Sequence, residues 1–288
     1  MSLKACSGGL IHGLEVQCRA KVDASAALFA RPHELNSVAI RLGIEERAGS
    51  LILSRHRRFI FFKTIKTGGT SCEIVLSRFC GPKDVITYLP PPDERLRRSL
   101  GGRPEQNNRD AFHKRLAGRL LGWERGKQKR RFDHNISAIE LRAQIPEQEW
   151  HSFLKFTVAR NPFDRAISKY FHDRHHNASL EIVPGSQPSK DDINEYLQTL
   201  PDRDLTNWHI YADDKVSLVD RIMRYENLSE EIASLLRSLG IAEEIALPRA
   251  KGAWRTNREP YRSIIGTELR RKIEAVASNE FELMCYKW

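Results

Sequence analysis

A chain of 288 residues, 40% hydrophobic and 29% charged, suits one large α/β domain or two small ones and is neither fibrous nor disordered in composition. Lys and Arg outnumber Asp and Glu by 47 to 37, a net charge of +10 that favours anionic ligands such as nucleotides, sulfate or phosphate groups, nucleic acid or acidic glycans. The five cysteines (Cys6, Cys18, Cys72, Cys80, Cys285) are odd in number and lack a CxxC pair, which argues against a disulfide scaffold or a zinc centre.

Residues 1–56 show no clear periodicity and read as an N-terminal extension of unclear role. The first strong signal is the aromatic, β-branched run at 58–63, a buried strand. It leads into Lys66-Thr67-Gly68-Gly69-Thr70-Ser71, and apolar spacing over 72–79 then predicts a helix. Residues 94–131 hold thirteen Lys or Arg against four Asp or Glu and read as a basic surface insertion. A helix follows at 137–144 and a second buried strand at 153–159. Arg160-Asn161-Pro162 breaks that strand, with Pro162 well placed to start the next helix. Further on come a polar loop at 177–190, a helix at 191–200, a strand at 218–225 and a helix at 229–239 stopped by Gly240. A last helix is expected over 267–282. Strands alternating with helices predict an α/β fold, a P-loop-like parallel sheet with helices on both faces, in one domain over 57–288.

The loop at 66–71 has the chemistry of an oxyanion cradle. Two glycines let backbone N–H groups approach an anion, the following helix offers its positive dipole end, Lys66 adds a full charge, and Thr67, Thr70 and Ser71 add hydroxyls. A Gly-Gly turn with capping Thr and Ser has the same composition. A nucleoside triphosphate loop of the GxxxxGK[ST] type is excluded, because Lys66 precedes both glycines and the loop is shorter.

These residues resemble the 5′-phosphosulfate loop of sulfotransferases that use 3′-phosphoadenosine 5′-phosphosulfate (PAPS). The likeness is closest to the carbohydrate group, whose loop reads Pro-Lys-Thr-Gly-Gly-Thr-Ser; here Ile65 replaces the proline. The segment Val158-Ala159-Arg160-Asn161-Pro162-Phe163-Asp164-Arg165-Ala166-Ile167-Ser168-Lys169-Tyr170 resembles the family's second anchor. The resemblance implies that Arg160 and Ser168 hold the donor's 3′-phosphate. Arg160 is suited to a forked, charge-assisted contact, and Ser168 lies two helical turns on. The bland reading of the same residues pairs Arg160 with Asp164 and leaves Ser168 as an ordinary helix residue. The likeness extends through 219–228 and 281–286, so it spans roughly 57–288 and weakens in the basic insertion.

The chemistry implied is sulfuryl transfer from PAPS to a hydroxyl of a glycan or other small alcohol, an in-line displacement stabilised by positioned cations and N–H donors, without a metal. Lys66 would stabilise the leaving oxygen. His134 is the first candidate for the base, on the resemblance, and Glu73 an alternative, although a Glu so placed also suits the helix dipole. Lys251 and Arg255, with Arg258 and Trp254, belong to a late basic loop that in the family closes over the nucleotide. His172, His175 and His176 cluster at helical spacing, either as a metal-type group or as a solvated or acceptor-facing helix end. Two other classes fit parts of the chain: a kinase with a degenerate phosphate loop, and a non-catalytic basic module binding anionic polymers. The kinase reading lacks a clear strand-end Asp to hold Mg²⁺. The binding module lacks interleaved aromatics, so no nucleic-acid partner is expected. No apolar run is long enough to span a bilayer, and no apolar segment follows Lys4. The expected setting is therefore a reducing, bacterial-type cytoplasm, or a lumenal domain separated from an anchor.

Overall fold

The computed structural model describes residues 51–108, 132, 136–176, 187–243, 245–248 and 259–288. In its first half, β1 (Leu51–Ser54), β2 (Phe59–Phe62), α1 (Gly69–Ser77), β3 (Val85–Ile86) and α2 (Pro91–Ser99) lead to α3 (Ala138–Arg142), α4 (Glu147–Ser152), β4 (Leu154–Ala159) and α5 (Pro162–His176). The second half runs through α6 (Lys190–Thr199), α7 (Trp208–Tyr211), the short pair β5 (Ala212–Asp213) and β6 (Val216–Ser217), then β7 (Arg221–Arg224), α8 (Leu228–Ser238), α9 (Tyr261–Ile264), α10 (Thr267–Val276) and α11 (Ser278–Met284).

The main sheet has the order β3-β1-β2-β4-β7. β2, β4 and β7 are parallel neighbours, as the alternation of strands and helices predicts, but β1 is antiparallel to both β2 and β3. The sheet is therefore mixed rather than wholly parallel. β1 lies inside the stretch read as an N-terminal extension and is fully buried between β3 and β2. Its turn into β2 is Arg55-His56-Arg57-Arg58, with Arg58 at φ 55°, and carries none of the Gly, Pro, Asn or Asp residues that usually advertise a hairpin.

Both faces of the sheet are covered, and the strands show why. Ile52, Phe59, Phe61, Phe156, Val158 and Met223 point to one side, against Cys72, Val75 and Leu76 of α1 and Ile232, Leu235 and Leu236 of α8. Leu51, Leu53, Ile60 and Phe62 point to the other, against Leu141 of α3, Trp150 of α4 and Tyr211 of α7. A strand buried on both faces reads as a continuous apolar run, which is how β2 looks in the sequence. Each such side chain contributes roughly 1.5–3 kcal/mol. A third cluster joins Phe163 and Ile167 of α5 to Ile193 of α6 and to Leu269 and Ile273 of α10.

Local stops agree with the sequence at Gly240, where φ is 70° and Ile241 N–H donates to the Leu236 carbonyl at 2.9 Å, closing α8. The single helix expected over 267–282 is instead two, α10 and α11, divided at Ala277. The basic insertion is only partly a surface feature. Its first residues belong to α2, and Arg97 is fully buried with Nη2 2.9 Å from Glu73 of α1. Asn108 and Phe132 exchange two hydrogen bonds, 2.9 and 3.1 Å. Among the described residues no helix is long and apolar enough to cross a membrane.

Candidate functional site

Parallel neighbours bring the carboxyl ends of β2, β4 and β7 to one edge, where open α/β sheets place their ligands. Three segments meet there: 63–68 after β2, Arg160-Asn161 after β4 and Tyr225-Glu226 after β7. Thr64 Oγ1 donates to the Val158 carbonyl, and the Asn161 N–H donates to Glu226 Oε1 at 2.8 Å. The Arg160 guanidinium lies 4.0 Å from the centre of the Tyr225 ring.

Residues 66–71 form the turn from β2 into α1 and the first residues of that helix. Lys66 and Gly68 both adopt left-handed backbone conformations, at φ 64° and 77°. For a lysine that conformation costs on the order of 1 kcal/mol and persists only where the surroundings impose it. A Cβ on Gly68 would stand 2.9 Å from Leu228 Cδ2, and one on Gly69 would stand 2.6 Å from Lys63 Cγ, so both positions exclude larger residues by space as well. Gly68 caps α1 through its carbonyl, which accepts from Ser71 N–H at 3.0 Å and Cys72 N–H at 3.3 Å. The N–H groups of Gly69 and Thr70, ahead of those bonds, are donors of the kind every helix N-terminus presents. Thr70 and Ser71 keep a little exposure, at 8% and 7%. Thr67 departs from the expectation that its hydroxyl would face an anion. It is fully buried, and its Oγ1 pairs with Thr64 Oγ1 at 2.7 Å and with the Thr64 carbonyl at 3.2 Å.

Arg160 follows β4 directly and reaches back to this loop. Its Nη1 donates to the Lys66 carbonyl at 3.0 Å, while Nε and Nη2 stand 2.7 and 2.6 Å from Asp164 Oδ2. The ion pair with Asp164 is the bland reading of the sequence, and the structure realises it; the bond to Lys66 has no counterpart in the sequence pattern. A guanidinium has five N–H groups, so these contacts leave donors on Nη1 and Nη2. Ser168 is half-buried on α5, two turns beyond Asn161.

One turn further on α5, His172 Nδ1 and Asp173 Oδ1 are 3.1 Å apart, and the rings of His172 and His176 are 4.6 Å apart. Burial pushes the His172 imidazole down to about 4, against the pull of Asp173, and the charge of Lys66 acts in the same direction as burial. Among the described residues no three His, Cys, Asp or Glu side chains are grouped to hold a metal ion.

Glu73, the alternative base, is fully buried and held by Arg97 Nη2 at 2.9 Å, Lys63 Nζ at 2.9 Å and Thr87 Oγ1 at 3.2 Å. These bonds tie α1 to α2 and to the end of β2. His134, Lys251, Trp254, Arg255 and Arg258 lie outside the described residues. Two residues given no role from sequence also bear on the site. Glu226 ties β4's end to β7's, and Asn207 bonds both backbone groups of Ile65, at 3.1 and 3.0 Å. Glu226 sits inside the 219–228 likeness, whereas Asn207 carries no sequence signal, being 142 positions from its partner.

A family model described as the sulfotransferase family matches residues 50–287, from the start of β1 to the end of the chain's last turns. The chain belongs to the sulfotransferase family. That family is PAPS-dependent, so the activity is sulfuryl transfer in general terms. The match begins at β1 rather than at residue 57, in agreement with the sheet. Over 114 residues the chain is also 28% identical to an uncharacterized protein of Archaeoglobus fulgidus, covering 38% of this sulfotransferase and 87% of that relative. No solved structure matches.

Proposed function

We propose that this sulfotransferase transfers the sulfuryl group of PAPS to a hydroxyl of a glycan or other small alcohol, gripping the donor at two points. The observation that carries the reading is the junction of the 66–71 loop with Arg160 at the ends of two adjacent parallel strands. In this reading the Gly69 and Thr70 N–H groups, the Thr70 and Ser71 hydroxyls and Lys66 take the 5′-phosphosulfate, with Thr67 and Gly68 contributing backbone. Arg160 and Ser168 take the 3′-phosphate, and Lys251 and Arg255 close over the nucleotide.

Charge grows on the bridging oxygen as it leaves sulfur, and a lysine fixed beside it stabilises that charge more than it stabilises the ground state. His134 would remove the acceptor's proton, an assignment resting on the family resemblance. Glu73 is not used in this scheme, because two cations already hold its carboxylate.

Calorimetry with 3′-phosphoadenosine 5′-phosphate (PAP) against ATP–Mg²⁺ tests the donor. Metal-independent PAP binding, weakened by Lys66→Ala and Arg160→Ala, is expected; a preference for ATP–Mg²⁺ overturns the reading in favour of a phosphate-transferring enzyme. A screen of alcohols and glycans with labelled PAPS then identifies the acceptor, and equal rates for wild type and His134→Ala would remove His134 from the mechanism.

A further inference from the structure

Asn207 occupies the cap position of α7 but makes no side-chain cap bond; Thr206 Oγ1 instead accepts from the Trp208 N–H at 3.0 Å. Both ends of the Asn207 amide go to one distant residue. Oδ1 accepts from the Ile65 N–H at 3.1 Å and Nδ2 donates to the Ile65 carbonyl at 3.0 Å. Only one orientation of the amide satisfies that pair, because the flipped one would set N–H against N–H. Asn207 is itself 1% exposed and seated from behind by the buried Glu280. Glu280 accepts from Asn207 N–H at 3.3 Å, Thr206 Oγ1 at 2.9 Å and Tyr211 Oη at 3.3 Å.

The partner is informative. Ile65 is the one position at which the loop departs from the Pro-Lys-Thr-Gly-Gly-Thr-Ser pattern. Proline fixes its own φ and has no N–H to satisfy; isoleucine has a free φ and a buried-edge N–H that needs an acceptor. The next residue, Lys66, holds a left-handed conformation that its own side chain does not favour. Asn207 pins the peptide groups on both sides of Ile65, Arg160 pins the Lys66 carbonyl, and Thr64 pins Thr67, so the turn is fixed residue by residue.

We propose that Asn207 is a positioning residue for the phosphosulfate loop, its side-chain amide clamping Ile65 from α7 and supplying the stiffness that a proline would otherwise give. A buried asparagine serving packing alone would affect stability but not loop order or ligand affinity. Only the ligand used in the test rests on the PAPS reading; the loop-order test does not.

The experiment compares wild type, Asn207→Ala, Asn207→Asp, and Asn207→Ala combined with Ile65→Pro. Amide hydrogen exchange over 66–71 is followed without nucleotide, alongside thermal melting and PAP titration. Asn207→Ala is expected to speed exchange in the loop and to weaken PAP about tenfold. Adding Ile65→Pro is expected to restore most of that affinity without restoring the melting temperature. Native exchange and native PAP affinity in a folded Asn207→Ala overturn the proposal, as does a double variant no better than the single one. If Asn207→Ala does not fold, Asn207→Asp decides. It keeps the acceptor for Ile65 N–H and loses the donor, so it should loosen the loop, and native exchange there overturns the proposal. A wild type that ignores PAP refutes the donor reading and leaves the exchange comparison intact.

Discussion

Arg160 donates through Nη1 to the carbonyl of Lys66 at 3.0 Å, so the residue that follows one strand holds the backbone of the lysine that follows its neighbour. In the proposed reading Arg160 serves the 3′-phosphate and Lys66 the 5′-phosphosulfate, and this hydrogen bond would join the two halves of that grip.

Arg160→Ala should therefore weaken donors that lack a 3′-phosphate as well as those that have one. For PAP the expected loss is about 10- to 100-fold, the range of one to two charge-assisted hydrogen bonds. For adenosine 5′-phosphosulfate a smaller loss of about 3- to 10-fold is expected, through the slackened loop. Arg160→Lys should recover little, since an ammonium cannot reach Lys66, Asp164 and a phosphate from one plane while lying over Tyr225. Titration of both nucleotides against both variants checks this. An unchanged affinity for adenosine 5′-phosphosulfate would confine Arg160 to the 3′ side.

The two loop glycines should fail for different reasons. Gly68→Ala forces a Cβ into a φ of 77° and to within 2.9 Å of Leu228 Cδ2, costing about 1–2 kcal/mol and displacing the cap of α1. Gly69→Ala has an ordinary φ, but its Cβ meets Lys63 Cγ at 2.6 Å, near the root of a side chain whose far end is tied to Glu73. Gly69→Ala should be the one rescued, in part, by Lys63→Ala, while Gly68→Ala should not be. Melting temperatures and PAP affinities of the two singles and two doubles separate the mechanisms.

Much of this site was legible before any coordinates. The run Phe59-Ile60-Phe61-Phe62 is apolar on both faces and followed a few residues on by Gly68-Gly69, which specifies a buried strand, a turn and a helix from local rules alone. Arg160-Asn161-Pro162 gave the second strand's end in the same way. What stayed hidden depends on contacts far apart in the chain. β1 is four residues long and is a strand because β2 and β3 flank it; Arg97 looks like any surface arginine until Glu73 lies beside it. Asn207 meets Ile65 across 142 positions, and no periodicity reports that. The contact of the Thr67 hydroxyl with Thr64 is equally hidden, because composition counts donors without showing which neighbour stands close enough to pair with them.

Glu73→Gln distinguishes a base from a strut. Arg97 and Glu73 are both fully buried, and neutralising the carboxylate removes one of the two countercharges of the guanidinium, the other being Glu94 at 3.1 Å. Removing one partner of such a pair costs about 3–5 kcal/mol, a fall in melting temperature of about 10 °C in a chain of this size. A strut predicts that fall with kcat largely retained in whatever protein stays folded at low temperature. A native melting temperature with kcat lost by orders of magnitude would return Glu73 to the chemistry. Scanning calorimetry and a sulfuryl-transfer assay on the same sample decide between them.

Acid should loosen the far end of α5. Burial first, then Lys66 and His176, hold His172 down at about 4 against the opposing pull of Asp173, whereas an unfolded histidine titrates near 6.5. Between those values the unfolded chain binds more protons than the folded one, so stability falls as pH drops from about 6.5 to about 4 and is unaffected by this group above that window. Asp173 continues the trend. Burial alone would raise it, but hydrogen bonds from His172, Lys169 and Tyr196 outweigh burial and bring it down to about 2. Its share is present above about 4 and is lost as pH falls towards about 2. With His172 30% exposed at its side chain, its share comes to about 1–2 kcal/mol once solvent screening is allowed for. Melting temperature recorded from pH 7.5 to 4.5 should fall more steeply in wild type than in His172→Gln. Some slope should remain in the variant because burial also lowers His209. Parallel curves for the two proteins, or a His172 ring that titrates near 6.5 by NMR, would remove this residue from the acid response and with it the electrostatic link between α5 and Lys66.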